Sequence, residues 1–400
     1  MAKSLVILGA GYGGSFLASN LADDDINITL VDRRAHHELT QELHLVAAGL
    51  RKPEEIRIPI ASLLSGTRTR FVQGIVKGVD LQKRKVLLES GDVSYDMLVI
   101  ALGAVTEYFD VPGAEKLTQP LRSAYDAEKI YERLDSLTKS GDGAEIVVVG
   151  GGATGVTIAG ALADFAEQEE VGRLSIKMME ATGSLLPGWD PRVAEKAAEA
   201  LQKKRVEVML YARVSECLPG IIRLQDGRNF RTPVAIWTAG VKAYELDTVP
   251  DIPKTDNGRV LVDSSCQLEG WSDVYAIGDI AAARDAGGRF YPATAQIAVR
   301  QAKYLADRFS GRTDGTFDYD VNAQVLSLWV DDHVLLLGDW LVTGYLANLV
   351  EEFSKKAYRS VIESGATDLH ARVYEEDLFS KALAGVAFAG FAFRKVLDRF

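Results

Sequence analysis

Two stretches of the chain, about 140 residues apart, repeat one pattern that strongly limits the possible folds. Residues 5–14 read LVILGAGYGG, and residues 146–155 read IVVVGGGATG. Each is a continuous apolar run ending in a glycine cluster, which predicts a buried parallel strand, a tight turn and a helix. Each unit then reaches a second strand that ends in an acid, Asp32 in ITLVD and Glu180 in LSIKMME. The sequence therefore predicts a βαβ unit that occurs twice.

The glycine spacing within each unit suits a dinucleotide. The first glycine allows the tight turn, the second lets the backbone approach a pyrophosphate, and the third permits close helix–strand packing. The phosphates then face the free N–H groups of the helix N-terminus. The acid accepts hydrogen bonds from a ribose, and Glu180 would repel a 2′-phosphate, which favours NADH over NADPH. The predicted nucleotide-binding residues are Gly9, Gly11, Gly14 and Asp32 in the first unit and Gly150, Gly152, Gly155 and Glu180 in the second.

Two nucleotide sites in one chain indicate electron transfer between two nucleotides. We interpret the first as holding FAD and the second as taking NAD(H) as substrate, because the flavin supplies the redox chemistry while the protein supplies position and electrostatics. Cys217 and Cys266 form no CxxC or CxxxxC pair, which argues against a disulfide relay beside the flavin. The five histidines show no zinc-ligand spacing, so no metal is expected.

Composition and hydropathy argue against two other classes of protein. The net charge of −11 disfavours nucleic acid as a partner, because its recognition needs clustered Lys and Arg. No segment reaches the roughly 20 apolar residues of a membrane-spanning helix. The N-terminal apolar run is typical of a strand rather than a signal peptide, because glycines interrupt it. We therefore expect the chain in the cytosol or on the cytoplasmic face of a membrane.

Several further segments resemble the type II NADH:quinone oxidoreductases, also called alternative NADH dehydrogenases. These segments are ELHLVAAG (42–49), PEEIRIPIASLL (53–64) and, above all, PATAQIAVRQ (292–301). The resemblance covers about residues 3–305 in order. It implies non-covalent FAD. VYAIGD (274–279) resembles the second FAD fingerprint of the two-dinucleotide flavoproteins, which implies that Gly278 and Asp279 bind FAD and that the acid contacts the ribityl chain. LVIALG and IWTAG, ending at Gly103 and Gly240, are similar to the strand–glycine signatures near the domain crossovers.

The motif order predicts an α/β fold with a split first domain. We expect two Rossmann-like, glutathione-reductase-like dinucleotide-binding domains plus a C-terminal amphipathic helical region. The predicted divisions are an FAD-binding domain in two parts (1–115 and 253–322), an NAD(H)-binding domain (116–252) and a membrane-anchor or dimerisation region (323–400).

The resemblance also assigns three catalytic positions, two of which depart from the family pattern. In the family, the AQxAxQ segment opens a helix beneath the flavin and helps to form the quinone pocket, which implicates Gln296. Arg300 replaces the second Gln of that motif, although Gln301 follows. The family has a Glu after GGGxxG-Val, close to nicotinamide and flavin, where this chain has Thr157. We expect NADH to bind but turnover to differ from that of relatives with Glu at this position, because a hydroxyl carries no charge near pH 7.

The last residues predict a membrane-surface helix. Residues 378–400 combine an apolar stripe with four cationic residues, and their unbroken apolar stretch is too short to span a bilayer. Residues 340–362 are predicted to form an amphipathic partner helix containing Val342. A helix that covers the protein's own surface, or forms a homodimer, is the alternative.

The activity expected from these features is non-proton-pumping transfer of electrons from NADH through FAD to a membrane quinone, at the cytoplasmic face. The alternatives are a soluble NAD(P)H-dependent flavin reductase of the ferredoxin-reductase type and a low-turnover flavin-binding regulatory protein. Sulfide:quinone oxidoreductase is disfavoured, because Cys217 and Cys266 do not fit its reactive-cysteine pattern.

Overall fold

The computed structural model describes residues 2–21, 25–140, 143–168, 174–319, 323–328, 333–344, 347–348 and 359. The α-helices described are α1 (Tyr12–Asn20), α2 (Leu43–Ala47), α3 (Ile60–Leu63), α4 (Ala114–Leu117), α5 (Ala124–Ser140), α6 (Ala153–Gln168), α7 (Pro191–Lys203) and α8 (Ala295–Phe309). Short 3-10 helices span Thr40–Glu42, Pro53–Ile56 and Gly278–Ile280.

Two five-stranded parallel sheets form the centre of the fold. The first has the strand order Val274–Ala276, Met97–Ile100, Lys3–Leu8, Ile26–Asp32 and Arg70–Gln73. The second has the order Gln119–Pro120, Val234–Trp237, Ala144–Val149, Leu174–Met179 and Glu207–Met209. Each of the two repeated apolar runs forms the third strand of its sheet, so that two further strands lie on either side of it. This doubly wound arrangement confirms the predicted pair of Rossmann-like units.

Smaller sheets surround these two. A four-stranded sheet contains Thr248–Val249, Val76–Asp80, Lys85–Leu88 and Gly91–Ser94, and a three-stranded sheet contains Val214–Leu218, Ile221–Leu224 and Asn229–Arg231. Two-stranded pairs join Ala104–Thr106 to Val241–Ala243, Val260–Leu261 to Ala281–Ala282, and His36–Glu38 to Arg57–Pro59. The first of these pairs is the crossover between the two large units. The domain boundaries given above stay a prediction.

Helix packing follows from the apolar faces. Leu5 and Ile7 of the first apolar run are fully buried and belong to one core cluster with Ile297 and Leu305 of α8. Helix α1 packs directly against α8. The Thr294 hydroxyl caps α8 by accepting a 3.3 Å hydrogen bond from the N–H of Ile297. The N-terminal ends of α1 and α8 therefore lie on the same cavity, described below.

The helix predicted over residues 340–362 is wrong for its first four residues. Trp340–Thr343 is a strand, in an antiparallel sheet with Ala323–Ser327 and His333–Leu337. Val342 pairs with Leu335, so ladder hydrogen bonds prevail over the helical spacing of the apolar residues. The predicted helix over 378–400 and most of 345–362 lie outside the described residues. Within the part of the chain that is described, no helix is both long and apolar enough to cross a membrane.

Candidate functional site

A cavity of about 1080 Å³ lies at the carboxyl ends of the first sheet. Six of the predicted site residues line it, although they come from four separate parts of the sequence. They are Gly9, Gly11, Asp32, Gly103, Gly278 and Asp279. Ligands of doubly wound sheets bind at this edge, outside the carboxyl ends of the strands.

The first glycine loop has the shape that a pyrophosphate requires. Gly9 has a φ of +100°, and a Cβ there would overlap the carbonyl oxygen of Ala101. A Cβ at Gly14 would overlap the carbonyl oxygen of Gly9, which fixes α1 close to its strand. A Cβ at Gly11 would meet no atom within 4 Å. Gly11 therefore faces open space at the N-terminus of α1, where phosphate oxygens could meet backbone N–H groups.

The second glycine loop repeats this geometry. Gly150 has a φ of +107°, and a Cβ there would lie 2.5 Å from the Cα of Ala239. A Cβ at Gly155 would overlap the carbonyl oxygen of Gly150, whereas one at Gly152 would meet nothing within 4 Å. Both loops therefore close tightly at the first and third glycine and stay open at the second.

Each acid at the end of a second strand holds its own glycine loop. Asp32 accepts hydrogen bonds from the backbone N–H groups of Ala10 at 2.7 Å and Arg34 at 2.8 Å. Each carboxylate oxygen takes one of these bonds. Because a carboxylate has about four acceptor positions, lone pairs remain for a ribose hydroxyl.

Glu180 repeats this arrangement at the second loop. It accepts from the N–H groups of Gly151 and Thr182, both at 2.7 Å, and the residue is buried. Lys177, the cation nearest in sequence, lies 3.0 Å from Glu145 and 3.3 Å from Glu207 instead. The ammonium group of Lys177 therefore pairs with these two acids rather than with Glu180.

Asp279 meets the cavity beside Arg122, a residue that no sequence motif indicated. Arg122 lies 3.7 Å from the Asp279 carboxylate and also donates to the carbonyl oxygen of Ala104 at 3.2 Å. Burial raises the pKa of the Asp279 carboxyl group, and Arg122 and Arg259 oppose that shift. Arg122 lies just before α5 and reaches Asp279 only through the tertiary structure, so a local pattern could not have marked it.

His37 is a second cavity residue without a sequence signal. Its Nδ1 donates a 2.9 Å hydrogen bond to the carbonyl oxygen of Ala10, and its ring meets that of Tyr12 edge-on. Burial lowers the pKa of His37, so the imidazole is neutral near pH 7. It therefore supports the first glycine loop without adding a charge to it.

Helix α8 joins the two motifs that the resemblance singled out. Ala295 and Ala298 line the cavity, and a Cβ at Gly278 would lie 3.3 Å from the Cβ of Ala298. Gln301 is buried and accepts a 2.8 Å hydrogen bond from the N–H of Gly278. In the sequence, Gln301 stands out only as the neighbour of Arg300, and no motif assigns it a role.

Gln296 and Arg300 lie on another face of α8. The side-chain amide of Gln296 donates to the hydroxyl of Tyr319 at 2.8 Å, and the guanidinium of Arg300 lies 4.9 Å from the centre of the Tyr319 ring. Neither residue lines the cavity described above. Their predicted contact with a quinone stays a prediction.

The Thr157 hydroxyl has a partner far away in sequence. It donates a 2.8 Å hydrogen bond to the carbonyl oxygen of Ser327, at the end of a strand of the C-terminal sheet. Ser327 Oγ in turn lies 2.9 Å from Nε2 of the buried His333. Thr157 therefore ties the first turns of α6 to that sheet, and its predicted place beside the nicotinamide stays untested.

The crossover glycines occupy two different positions. Gly103, with a φ of +74°, lines the cavity. A Cβ at Gly240 would lie 2.6 Å from the Phe109 ring, and the carbonyl oxygen of Gly240 accepts from the N–H of Glu107 at 3.0 Å. Gly240 therefore allows close packing of the crossover, outside the lining of the cavity.

Neither cysteine supplies a thiolate. Burial raises the pKa of Cys217 to about 11 and also raises that of Cys266. Both are free thiols within the core. Across the described ranges, no three His, Cys, Asp or Glu side chains cluster as metal ligands would.

Comparisons with known proteins agree with this geometry. The family model for pyridine nucleotide-disulphide oxidoreductases matches residues 3–302. The type II NADH:quinone oxidoreductase of Staphylococcus haemolyticus is 26% identical over 395 residues, covering 92% of this chain and 97% of the relative. The resemblance stated from the motifs is therefore confirmed.

Solved structures show the same fold. NDH2 from Plasmodium falciparum, in complex with NADH, is similar with a TM-score of 0.82 at 17% identity, over 94% of this chain and 99% of that one. The sulfide:quinone oxidoreductase of Aquifex aeolicus is similar with a TM-score of 0.78 at 18% identity, over 94% of each chain.

Proposed function

The chain belongs to the pyridine nucleotide-disulphide oxidoreductase family, and from this we propose that it is an FAD-dependent NADH:quinone oxidoreductase. The observation that carries the proposal is the cavity that joins the first glycine loop, Asp279 and the start of α8. The similarity to the type II NADH:quinone oxidoreductase of Staphylococcus haemolyticus supports the same activity.

The residues of the cavity suit FAD. Its 1080 Å³ exceeds the usual size of a ligand pocket, as a dinucleotide requires. The open side of Gly11 would admit the pyrophosphate, Asp32 would accept from the adenosine ribose, and Asp279 would accept from the ribityl hydroxyls. A bound FAD would supply the redox chemistry, taking electrons from NADH and passing them to the acceptor.

The second glycine loop suits NADH. Gly152 would leave room for the pyrophosphate at the N-terminus of α6, and Glu180 would accept from the ribose. A 2′-phosphate there would meet the Glu180 carboxylate, and Lys177 is engaged by two other acids. The chain therefore discriminates in favour of NADH through charge.

Helix α8 points to the acceptor side. Its Ala295 and Ala298 line the flavin cavity, while Gln296 and Arg300 meet at Tyr319 on the adjoining surface. We assign this cluster of Gln296, Arg300 and Tyr319 to the rim of the quinone entrance. Its donors would orient a quinone carbonyl, and small residues at the cavity wall would let the ring approach.

Membrane contact is assigned to the C-terminal region, on the sequence of residues 378–400 alone. A peripheral position at the cytoplasmic face would let a hydrophobic quinone reach the cavity from the bilayer. The resemblance to the type II NADH:quinone oxidoreductases implies that the reaction would be non-proton-pumping.

Stopped-flow spectroscopy of the FAD-loaded protein tests the proposal in two steps. Mixing with NADH should bleach the flavin absorbance, and subsequent mixing with a short-chain ubiquinone or menaquinone analogue should restore it. Flavin that bleaches but is reoxidised only by a ferredoxin or by oxygen would contradict quinone as acceptor. Flavin that NADH fails to bleach would contradict the enzyme itself.

A further inference from the structure

Tyr211 is an exposed aromatic side chain held in an unfavourable backbone conformation next to the loop that follows Glu180. The residue is 77% exposed and has a φ of +54°, in the left-handed region that bulky residues rarely adopt. Such strain persists where the surrounding structure enforces it, and it occurs often at ligand sites. Because a glycine or asparagine would adopt this conformation with less strain, the aromatic ring at this position suggests a role in binding.

Three contacts fix Tyr211 beside Glu180. The N–H of Tyr211 donates to the carbonyl oxygen of Thr182 at 2.9 Å, and the next residue, Ala212, donates to the carbonyl oxygen of Glu180 at 2.8 Å. The phenol end of Tyr211 occupies the space where a Cβ at Gly183 would lie. The loops after two neighbouring strands, Leu174–Met179 and Glu207–Met209, are thereby locked together.

The sheet order fixes the direction in which a dinucleotide would lie. Ala144–Val149 leads into the glycine loop, with Val234–Trp237 on one side and Leu174–Met179, then Glu207–Met209, on the other. The pyrophosphate belongs at the loop and the adenosine ribose at the acid after the second strand. The adenine therefore extends towards the loop that carries Tyr211.

We propose that Tyr211 is the stacking platform for the adenine ring of NADH. The inference rests on the proposed function and names the residue that recognises the half of the substrate remote from the chemistry. Stacking on an aromatic side chain contributes affinity without taking part in electron transfer. Tyr211 is thus a binding residue. Gly183 makes room for its phenol end, because glycine has no Cβ.

The test uses the FAD-loaded full chain, with NADH and reduced nicotinamide mononucleotide, which lacks the adenosine half, as paired reductants. Tyr211→Asn removes the ring while tolerating a left-handed backbone, and Tyr211→Phe keeps the ring. Tyr125→Ala, at a 60% exposed tyrosine on α5, is the matched control. Equilibrium dissociation constants, KM and kcat are measured for each protein.

Tyr211→Asn should raise the Kd and KM for NADH about tenfold, with kcat unchanged, since a stacked base contributes affinity of this order. Tyr211→Phe and Tyr125→Ala should match the wild type, and the mononucleotide should react alike with all four proteins. Unchanged NADH affinity in Tyr211→Asn, or an equal loss with both reductants, would overturn the inference. A wild-type protein that fails to bind NADH would instead overturn the proposed function, and this inference with it.

Discussion

The side-chain oxygen of Gln301 accepts a 2.8 Å hydrogen bond from the backbone N–H of Gly278. This bond ties α8 to the turn that presents Asp279 to the cavity. Gln301 is 1% exposed, whereas Gly278 is partly buried and lines the cavity. The motifs VYAIGD and PATAQIAVRQ are therefore held in register by Gln301, the last residue of the second motif.

Gln301→Leu should lower the free energy of unfolding by about 0.5–1.5 kcal/mol, because the N–H group of Gly278 loses its side-chain acceptor. The turn at Asp279 should loosen as well, so FAD should dissociate more readily. Urea denaturation and flavin retention on gel filtration measure the two effects. The control is Gln296→Leu, at an exposed hydrogen bond to Tyr319. Equal stability of both variants would contradict a structural role for Gln301.

Asp279→Asn should stabilise the FAD-free protein relative to the wild type at neutral pH. Burial raises the pKa of Asp279 in the folded state, so the folded chain binds this proton more tightly than the unfolded chain. The contribution of Asp279 to stability is therefore full below its ordinary pKa of 3.8 and is lost as the pH rises through the raised value. The stability of Asp279→Asn relative to the wild type should accordingly increase as the pH rises from 3.8 through the raised pKa of Asp279.

The control for this pH dependence has the opposite sign. Hydrogen bonds from Lys83, first from its backbone N–H group, lower the pKa of Asp80. Asp80→Asn should therefore be less stable than the wild type above pH 3.8, and this deficit should vanish as the pH falls through the lowered pKa of Asp80. Urea denaturation of the three proteins across about pH 2–8 covers the windows of both variants, in steps of about 0.5 pH unit. Parallel curves for the two variants would refute the assignment at Asp279.

Glu180→Gln should weaken the preference for NADH over NADPH. The amide removes the charge that repels a 2′-phosphate, and we expect the ratio of the two kcat/KM values to fall about tenfold, or roughly 1.4 kcal/mol. Glu195→Gln, at an exposed position on α7, should leave the ratio unchanged. A ratio that stays constant in Glu180→Gln would place the ribose elsewhere.

Thr157→Val should lower the free energy of unfolding by about 1–2 kcal/mol, since Ser327 loses its hydrogen-bond donor. We expect flavin reduction by NADH to keep its rate, because that hydroxyl is directed at Ser327. Thr138→Val, which loses a local bond to Asp135 within α5, is the stability control. A slower reduction step with unchanged stability would instead support the nicotinamide contact that the sequence resemblance suggests.

Deletion of residues 376–400 should release the protein from membranes. The measurement is flotation with vesicles that contain phosphatidylglycerol, compared with vesicles of phosphatidylcholine alone. Replacing Lys381, Arg394, Lys395 and Arg399 by Gln should weaken binding to the anionic vesicles only, because the patch acts through charge. Full-strength flotation of the truncated chain would rule out this anchor.

The sequence alone determined the two nucleotide units. An apolar run, three spaced glycines and a terminal acid are local features, and each of their roles depends on backbone geometry close in sequence. Gly9, Gly11 and Gly14 accordingly have the close packing and the open space that their spacing predicts. The parallel pairing of each run with the strand that ends in its acid follows from the βαβ connection between them.

The tertiary structure decided which side chains surround the cavity and which are engaged elsewhere. Arg122 reaches Asp279, Gln301 reaches Gly278, and Thr157 turns to Ser327, although no local pattern links these pairs. Trp340–Thr343 became a strand because a neighbouring strand offered it hydrogen bonds. Such outcomes depend on contacts between distant segments. The spacing of residues within a motif does not predict such contacts, because each side chain meets its partner only when distant helices and strands pack together.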